Sequence, residues 1–214
     1  MTIELKGPAG RLEALFQDAP GATFAALVCH PHPRFGGTMH NHATYRLAKA
    51  VRARGGAALR FQFRGVGRSA GSYDRGEGEA EDAAAALEWL ARERPDLPLL
   101  SCGFSFGSWM ALVAGAEHPR VRGLLLAGVA LRAPDLERFR ESGRIREVAK
   151  PVAVVQAESD QFGTPSEIEG ALAGSLGSRR LAVVASATHL FTEDLEGLQR
   201  EAEVALDWLL GEQQ

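Results

Sequence analysis

A chain in which short, wholly apolar runs alternate with helical patterns has few ways to fold. From residue 24 onward this chain does so throughout its 214 residues. Phe24–Cys29, Ala57–Phe63, Leu97–Phe104, Val121–Ala130, Val152–Ala157 and Arg180–Ala185 read as strands. His40–Arg54, Gly78–Arg92, Phe106–Glu117, Pro165–Leu176 and Glu193–Leu210 read as the helices between and after them. A hairpin, Thr2–Leu5 and Arg11–Phe16, opens the chain across Gly-Pro-Ala-Gly. Apolar strands separated by helices predict an α/β fold, a mostly parallel sheet buried on both faces. Right-handed crossovers then gather the carboxyl ends of the parallel strands on one edge, where ligands bind. No linker or repeat interrupts the pattern, so one domain over residues 1–214 is expected.

The sharpest local signal is Gly103-Phe104-Ser105-Phe106-Gly107, which follows an apolar run and opens a helix. That context matches the G-x-S-x-G nucleophile elbow. A strand that turns directly into a helix strains its central residue, and glycines two before and two after remove side chains that would collide. Ser105 would then stand above the sheet edge, with the Phe106 amide at a helix N-terminus, suited to a developing oxyanion. An elbow serine needs an acid and then a histidine later in the chain. The only histidine after residue 118 is His189, just past the last strand. Glu158-Ser159-Asp160 follows the penultimate strand. Asp160, further into the loop, is the expected acid and Glu158 the substitute. Thr164 is the better cap for the helix beginning at Pro165.

A second unusual segment, His30-Pro31-His32-Pro33-Arg34-Phe35-Gly36-Gly37-Thr38-Met39-His40-Asn41, leaves the Phe24–Cys29 strand at the same edge. In this plan the loop supplies a second oxyanion amide. Neither proline has an N–H, so His32 is expected, with Arg34 or Phe35 behind it. Two competing readings are weaker. His30, His32, His40 and His42 could be metal ligands, but a helical His40 and His42 diverge by roughly 200° and no carboxylate lies in the loop. Gly65-Val66-Gly67-Arg68-Ser69-Ala70 matches a dinucleotide fingerprint in letters only. It continues as loop where a helix is required. Those glycines are expected to shape a tight loop beside the site, with Arg64 packed beneath.

Composition excludes more than it assigns. With 24 basic and 27 acidic side chains, the net charge of −3 offers no footprint for nucleic acid. The arginines at 132, 138, 140, 144 and 146 alternate with acids at 135, 137, 141 and 147, reading as a self-neutralising surface. The N-terminus has no apolar segment of signal-peptide length, and Gly123–Leu131 is about half a bilayer span. A soluble, cytoplasmic protein without membrane or nucleic-acid partners is expected. Cys29 precedes the His30–Asn41 segment and Cys102 the elbow; should their strands be neighbours, two buried, inert thiols would lie close together.

The combination of His30-Pro31-His32-Pro33, Gly36-Gly37, Met39 and Asn41 with Arg60-Phe61-Gln62-Phe63-Arg64-Gly65-Val66-Gly67-x-Ser69 and Gly-Phe-Ser-Phe-Gly resembles the small predicted hydrolases of the α/β-hydrolase superfamily. Gln62 stands where that family would carry Asn. The resemblance implies an α/β-hydrolase fold and a serine hydrolase acting on a small acyl substrate, an ester or thioester, with Ser105 as nucleophile, His189 as base and Asp160 as orienting acid. It implies no metal or organic cofactor. A peptidase, lactonase or acyltransferase would use the same residues, and a catalytically silent binding module would share the fold. Only about twenty residues separate Ala130 from Val152, room for one short amphipathic helix with Leu136 and Phe139 inward. The expected site is therefore open and shallow, with minimal or no cap.

Overall fold

The computed structural model describes residues 1–132 and 135–211, without the side chains of Arg138 and Arg140. Strands β1 (Thr2–Gly7) and β2 (Gly10–Gln17) form the opening hairpin. Then come β3 (Phe24–Cys29), α1 (His42–Ala53), β4 (Gly56–Phe61), α2 (Glu77–Glu93), β5 (Leu99–Phe104), α3 (Phe106–Glu117) and β6 (Val121–Ala127). Two short turns, α4 (Glu137–Glu141) and α5 (Arg144–Glu147), lead to β7 (Val152–Ala157), α6 (Pro165–Leu172), β8 (Arg179–Val184) and α7 (Leu195–Gly211). The eight strands lie in the order β1-β2-β4-β3-β5-β6-β7-β8. Only β2 runs against its neighbours; from β4 to β8 every pair is parallel. The alternation of runs predicts the mostly parallel α/β sheet, and the strand order is the α/β-hydrolase arrangement that the family resemblance implies.

The physical reason is burial. Every residue of β3, β4, β5 and β7 is buried, which forces a helical layer on each face. Leu47 and Val51 of α1, with Leu198, Leu206 and Leu209 of α7, cover one face over Phe24 and Val28. Leu87 and Leu90 of α2, with Trp109 and Leu112 of α3, cover the other over Leu27 and Leu59. Each such side chain contributes about 1.5–3 kcal/mol by leaving water. Because β4 lies on one side of β3 and β5 on the other, the chain reverses its winding between β3 and β5. Loops leaving those two strands open a crevice at that switch point.

Beyond shifts at other element ends, such as α6 stopping at Leu172 and not Leu176, four details differ from the sequence reading. The strands read as Ala57–Phe63 and Val121–Ala130 stop at Phe61 and Ala127. Phe63, Val129 and Ala130 are still buried, so hydrophobicity alone could not mark where the backbone leaves the sheet. Helix α1 begins at His42, because Asn41 caps it by accepting from the Ala43 and Thr44 amides at 3.0 and 3.2 Å, and His40 lies outside the helix. Strands β3 and β5 are neighbours, but Cys102 pairs with Val28 and Cys29 with Gly103. That one-residue offset sends the two thiols to opposite faces. Burial pushes Cys102 up to about 12 and Cys29 well above its ordinary value, so both stay protonated.

The fourth concerns the connection from β6 to β7, which holds two helical turns where one was expected. Leu136 is buried and Phe139 stacks on Trp109, 6.3 Å between centroids. Arg132 and Arg144 pair with Glu167 and Glu117, on α6 and α3. The side chains of Arg138 and Arg140 lie outside the described residues. Among the described residues no helix is long and apolar enough to cross a membrane.

Candidate active site

Ser105 sits where β5 becomes α3, with φ +56° and ψ −121°, a conformation that non-glycine residues adopt only under constraint. The constraint is local packing. A Cβ at Gly103 would run into the Gly107 carbonyl, and one at Gly107 into the carbonyls of Cys29 and His30. The Ser105 amide is held by the Ala127 carbonyl at 2.9 Å. With its backbone fixed on three sides, the serine presents its hydroxyl to His189: Oγ and Nε2 are 2.8 Å apart.

His189 Nδ1 lies 2.8 Å from Asp160 Oδ2. An ionised carboxylate only accepts, so Nδ1 carries the proton and Nε2 is free to accept from Ser105. The imidazole is wedged between Phe162, edge-on at 4.7 Å, and Phe104 at 5.4 Å. Asp160 is fully buried and accepts from the Phe162 amide and Gln156 Nε2, both at 2.9 Å. Gln156 also takes the Val129 amide at 2.9 Å, tying the acid loop to the end of β6. A polar residue inside the otherwise apolar Val152–Ala157 was the available sign of Gln156, and sequence reasoning passed over it. Glu158, the substitute acid, is exposed and accepts from the Ser186 amide at 2.7 Å. It braces the turn after β8 and has no described contact with His189. Thr164 caps α6, in a reciprocal box with Glu167.

Phe106 is the first residue of α3, so its amide lies among the N–H groups that a helix leaves unpaired. The loop after β3 approaches from the other side. Its tight turn depends on Gly37, where a Cβ would strike the carbonyls of Pro31 and His32. Of the three residues expected to offer a second amide, two are committed: Arg34 N–H donates to His32 Nδ1 at 3.2 Å and Phe35 N–H to the His32 carbonyl at 3.1 Å. The His32 amide has no acceptor among the described residues.

His30 is a strut of this loop. Both His30 nitrogens are engaged, Nδ1 with the Pro31 carbonyl at 2.7 Å and Nε2 as acceptor of the Phe63 amide at 3.1 Å. Burial pushes its pKa down to about 3, so the ring is neutral. Among the described residues no group of three His, Cys, Asp or Glu side chains is arranged to hold a metal ion. The Arg60–Ser69 motif braces the same loop from below. Arg60 donates to the Met39 carbonyl at 2.8 Å, and Gln62 Oε1 accepts from the Met39 amide at 3.0 Å. Ser69 donates to the Gln62 carbonyl at 2.8 Å. Arg64 folds onto α2, with two contacts to Asp82 at 2.8 and 3.0 Å. The apparent dinucleotide fingerprint is thus a buttressing turn, and α2 begins only at Glu77.

Ser105, Phe106, His32 and His189 line one cavity of about 270 Å³, with Asn41 and Phe162 among its other walls. None of the described residues between β6 and β7 lines it. Phe35 and Leu190, 72% and 53% exposed, leave an apolar rim.

Residues 27–206 match the family model described as an alpha/beta hydrolase domain. The structure superimposes with a TM-score of 0.86 on an alpha-beta serine hydrolase homologue from Coxiella burnetii, 28% identical, covering 96% of this chain and 97% of that one. The TM-score is 0.84 against a lid-free a/b serine hydrolase from Xanthomonas campestris, 30% identical, over 97% and 93% of the two chains. An uncharacterized protein from Rickettsia prowazekii is 42% identical over 126 residues, 58% of this chain and 52% of that one. The match therefore spans about half the length of that curated relative.

Proposed function

Because the chain belongs to the α/β-hydrolase family, we propose that it is a serine hydrolase that cleaves a carboxylic ester or thioester of a small acyl substrate through an acyl-enzyme. The observation that carries this reading is the chain Ser105 Oγ–His189 Nε2 and His189 Nδ1–Asp160 Oδ2, 2.8 Å at each step, on a strained serine. In the first half-reaction His189 takes the Ser105 proton as Oγ attacks the carbonyl carbon. The carbonyl oxygen gains charge facing the Phe106 and His32 amides, and His189 returns the proton to the leaving oxygen or sulfur. Water then repeats the sequence on the acyl-enzyme and releases the acid. Asp160 holds the tautomer and stabilises the imidazolium, while Gln156 and the Phe162 amide hold Asp160. Removing one oxyanion donor typically costs about 10²–10³ in turnover. No step of this sequence calls on a metal or an organic cofactor.

The test is treatment with a fluorophosphonate and intact-mass measurement on the wild type and Ser105→Ala. One adduct, mapping to Ser105 and absent from the variant, is expected. Folded wild-type protein that gains no adduct would sink the enzyme reading and leave a silent binding module.

A further inference from the structure

His32 offers an uncommitted amide at the cavity wall, and its ring is held by more than its own loop. Nδ1 accepts from Arg34 N–H, so the ring proton is on Nε2. Nε2 lies 3.0 Å from Tyr73 Oη, and Tyr73 O–H donates to Asp135 Oδ2 at 3.0 Å. The proton directions are therefore settled along the whole chain: His32 gives to Tyr73, and Tyr73 gives to Asp135. Each member comes from a different loop, after β3, β4 and β6 respectively. The His32 ring is also packed at 4.7 Å from Phe35, 4.9 Å from Tyr73 and 4.8 Å from Phe106, the residue that follows the serine. Asp135 holds its place with φ +64°, a backbone conformation that aspartate tolerates better than most side chains.

We infer that Tyr73 and Asp135 are positioning residues, a hydrogen-bonded prop that fixes the His32 backbone amide opposite the Phe106 amide for oxyanion stabilisation. The inference rests on the serine-hydrolase reading above. Neither side chain is among the residues that line the cavity. Tyr73→Phe keeps the ring against Phe106, 6.1 Å between centroids, so the effect of the hydroxyl passes through His32. Deleting the Tyr73 hydroxyl leaves a ring N–H and a carboxylate without their partner, and frees the ring to rock on its aromatic seat. The amide acts on charge that exists only in the transition state, so a misplaced amide lowers kcat and spares KM.

The experiment is steady-state hydrolysis of p-nitrophenyl butyrate by the wild type, Tyr73→Phe, Asp135→Asn and Asp135→Ala, with fluorophosphonate labelling rates and thermal melting of each. Tyr73→Phe should lose about tenfold in kcat, less than outright loss of a donor, with KM within about twofold. Asp135→Asn keeps an acceptor for the Tyr73 hydroxyl and should stay near wild type, whereas Asp135→Ala should fall with Tyr73→Phe. Combining Tyr73→Phe with Asp135→Ala should cost no more than the larger single change, because both cut one chain. Unchanged kcat in a folded Tyr73→Phe, a rise in KM alone, or additive losses would each overturn the prop. Should Tyr73→Phe fail to fold, the Asp135→Asn and Asp135→Ala contrast decides alone. Wild type that labels at Ser105 at the same rate as Tyr73→Phe and Asp135→Ala refutes only this inference; wild type that never labels refutes the hydrolase.

Discussion

At the scale of single residues, the candidate site shows polar groups set by their hydrogen-bond partners. His30 is the clearest case, since both ring nitrogens are spent on backbone and the ring is wholly buried. Its pKa is about 3 when folded, against 6.5 unfolded. Between those values the unfolded chain binds a proton that the native state refuses, so stability is present above pH 6.5 and is lost as pH falls. The expected slope is about 1.4 kcal/mol per pH unit below pH 6. Urea unfolding of the wild type and His30→Gln from pH 7 to 4.5 measures it: the variant should lack that increment, and parallel curves would show that His30 is not held neutral. Ser105, Asp160 and His189 could be picked out from strand ends and chain order alone. Gln156 stands out as the polar residue of an apolar strand, but neither it nor Tyr73 announces which distant group it will meet.

Among the elements, α1 shows how a helix boundary shapes the site. Asn41 both stops the loop and starts the helix, its Oδ1 shared by two otherwise unpaired amides. Asn41→Ala should cost about 1 kcal/mol, while Asn41→Asp, an equally good cap, should cost a few tenths at most. In a chain of this length that separates the two variants by about 2–4 °C in thermal melting, and equal Tm values would deny the cap its role. The reading that began α1 at His40 followed apolar spacing, which is silent about caps. Strand ends failed for a related reason: Phe63 and Ala130 stay buried after leaving the sheet because they support site loops. Loop chemistry, not hydrophobicity, decides these boundaries. By contrast Phe24–Cys29, Val152–Ala157 and Phe106–Glu117 match their expected limits, each ended by a glycine, a proline or a turn into the site.

Taken whole, the molecule builds its cavity from four stretches far apart in the chain: 31–41, 104–106, 162 and 189–190. At the roughly 30 Å³ that one water takes up in the liquid, about 270 Å³ holds about nine non-hydrogen atoms. Across a series of p-nitrophenyl esters, kcat/KM should peak at acyl chains of about two to six carbons and fall beyond about ten. A value that keeps rising to palmitate would show that the acyl group does not sit in this cavity. The short β6–β7 connection leaves the rim of Phe35 and Leu190 uncovered, consistent with so small a site.

Local pattern determined the layers and the edge on which chemistry would gather, since burial periodicity and the Gly-x-Ser-x-Gly turn are properties of neighbouring residues. It also ordered Ser105, Asp160 and His189, because crossover handedness places the carboxyl ends of the parallel strands on one side. Register and side-chain partnership were decided only in three dimensions. A one-residue offset between β3 and β5 parted the cysteines, and Glu158 turned to Ser186 while Asp160 met His189. The His32 amide was left uncommitted because its loop neighbours found other acceptors. Hydrogen bonds act over about 3 Å and require direction, so which polar groups pair depends on how distant segments dock.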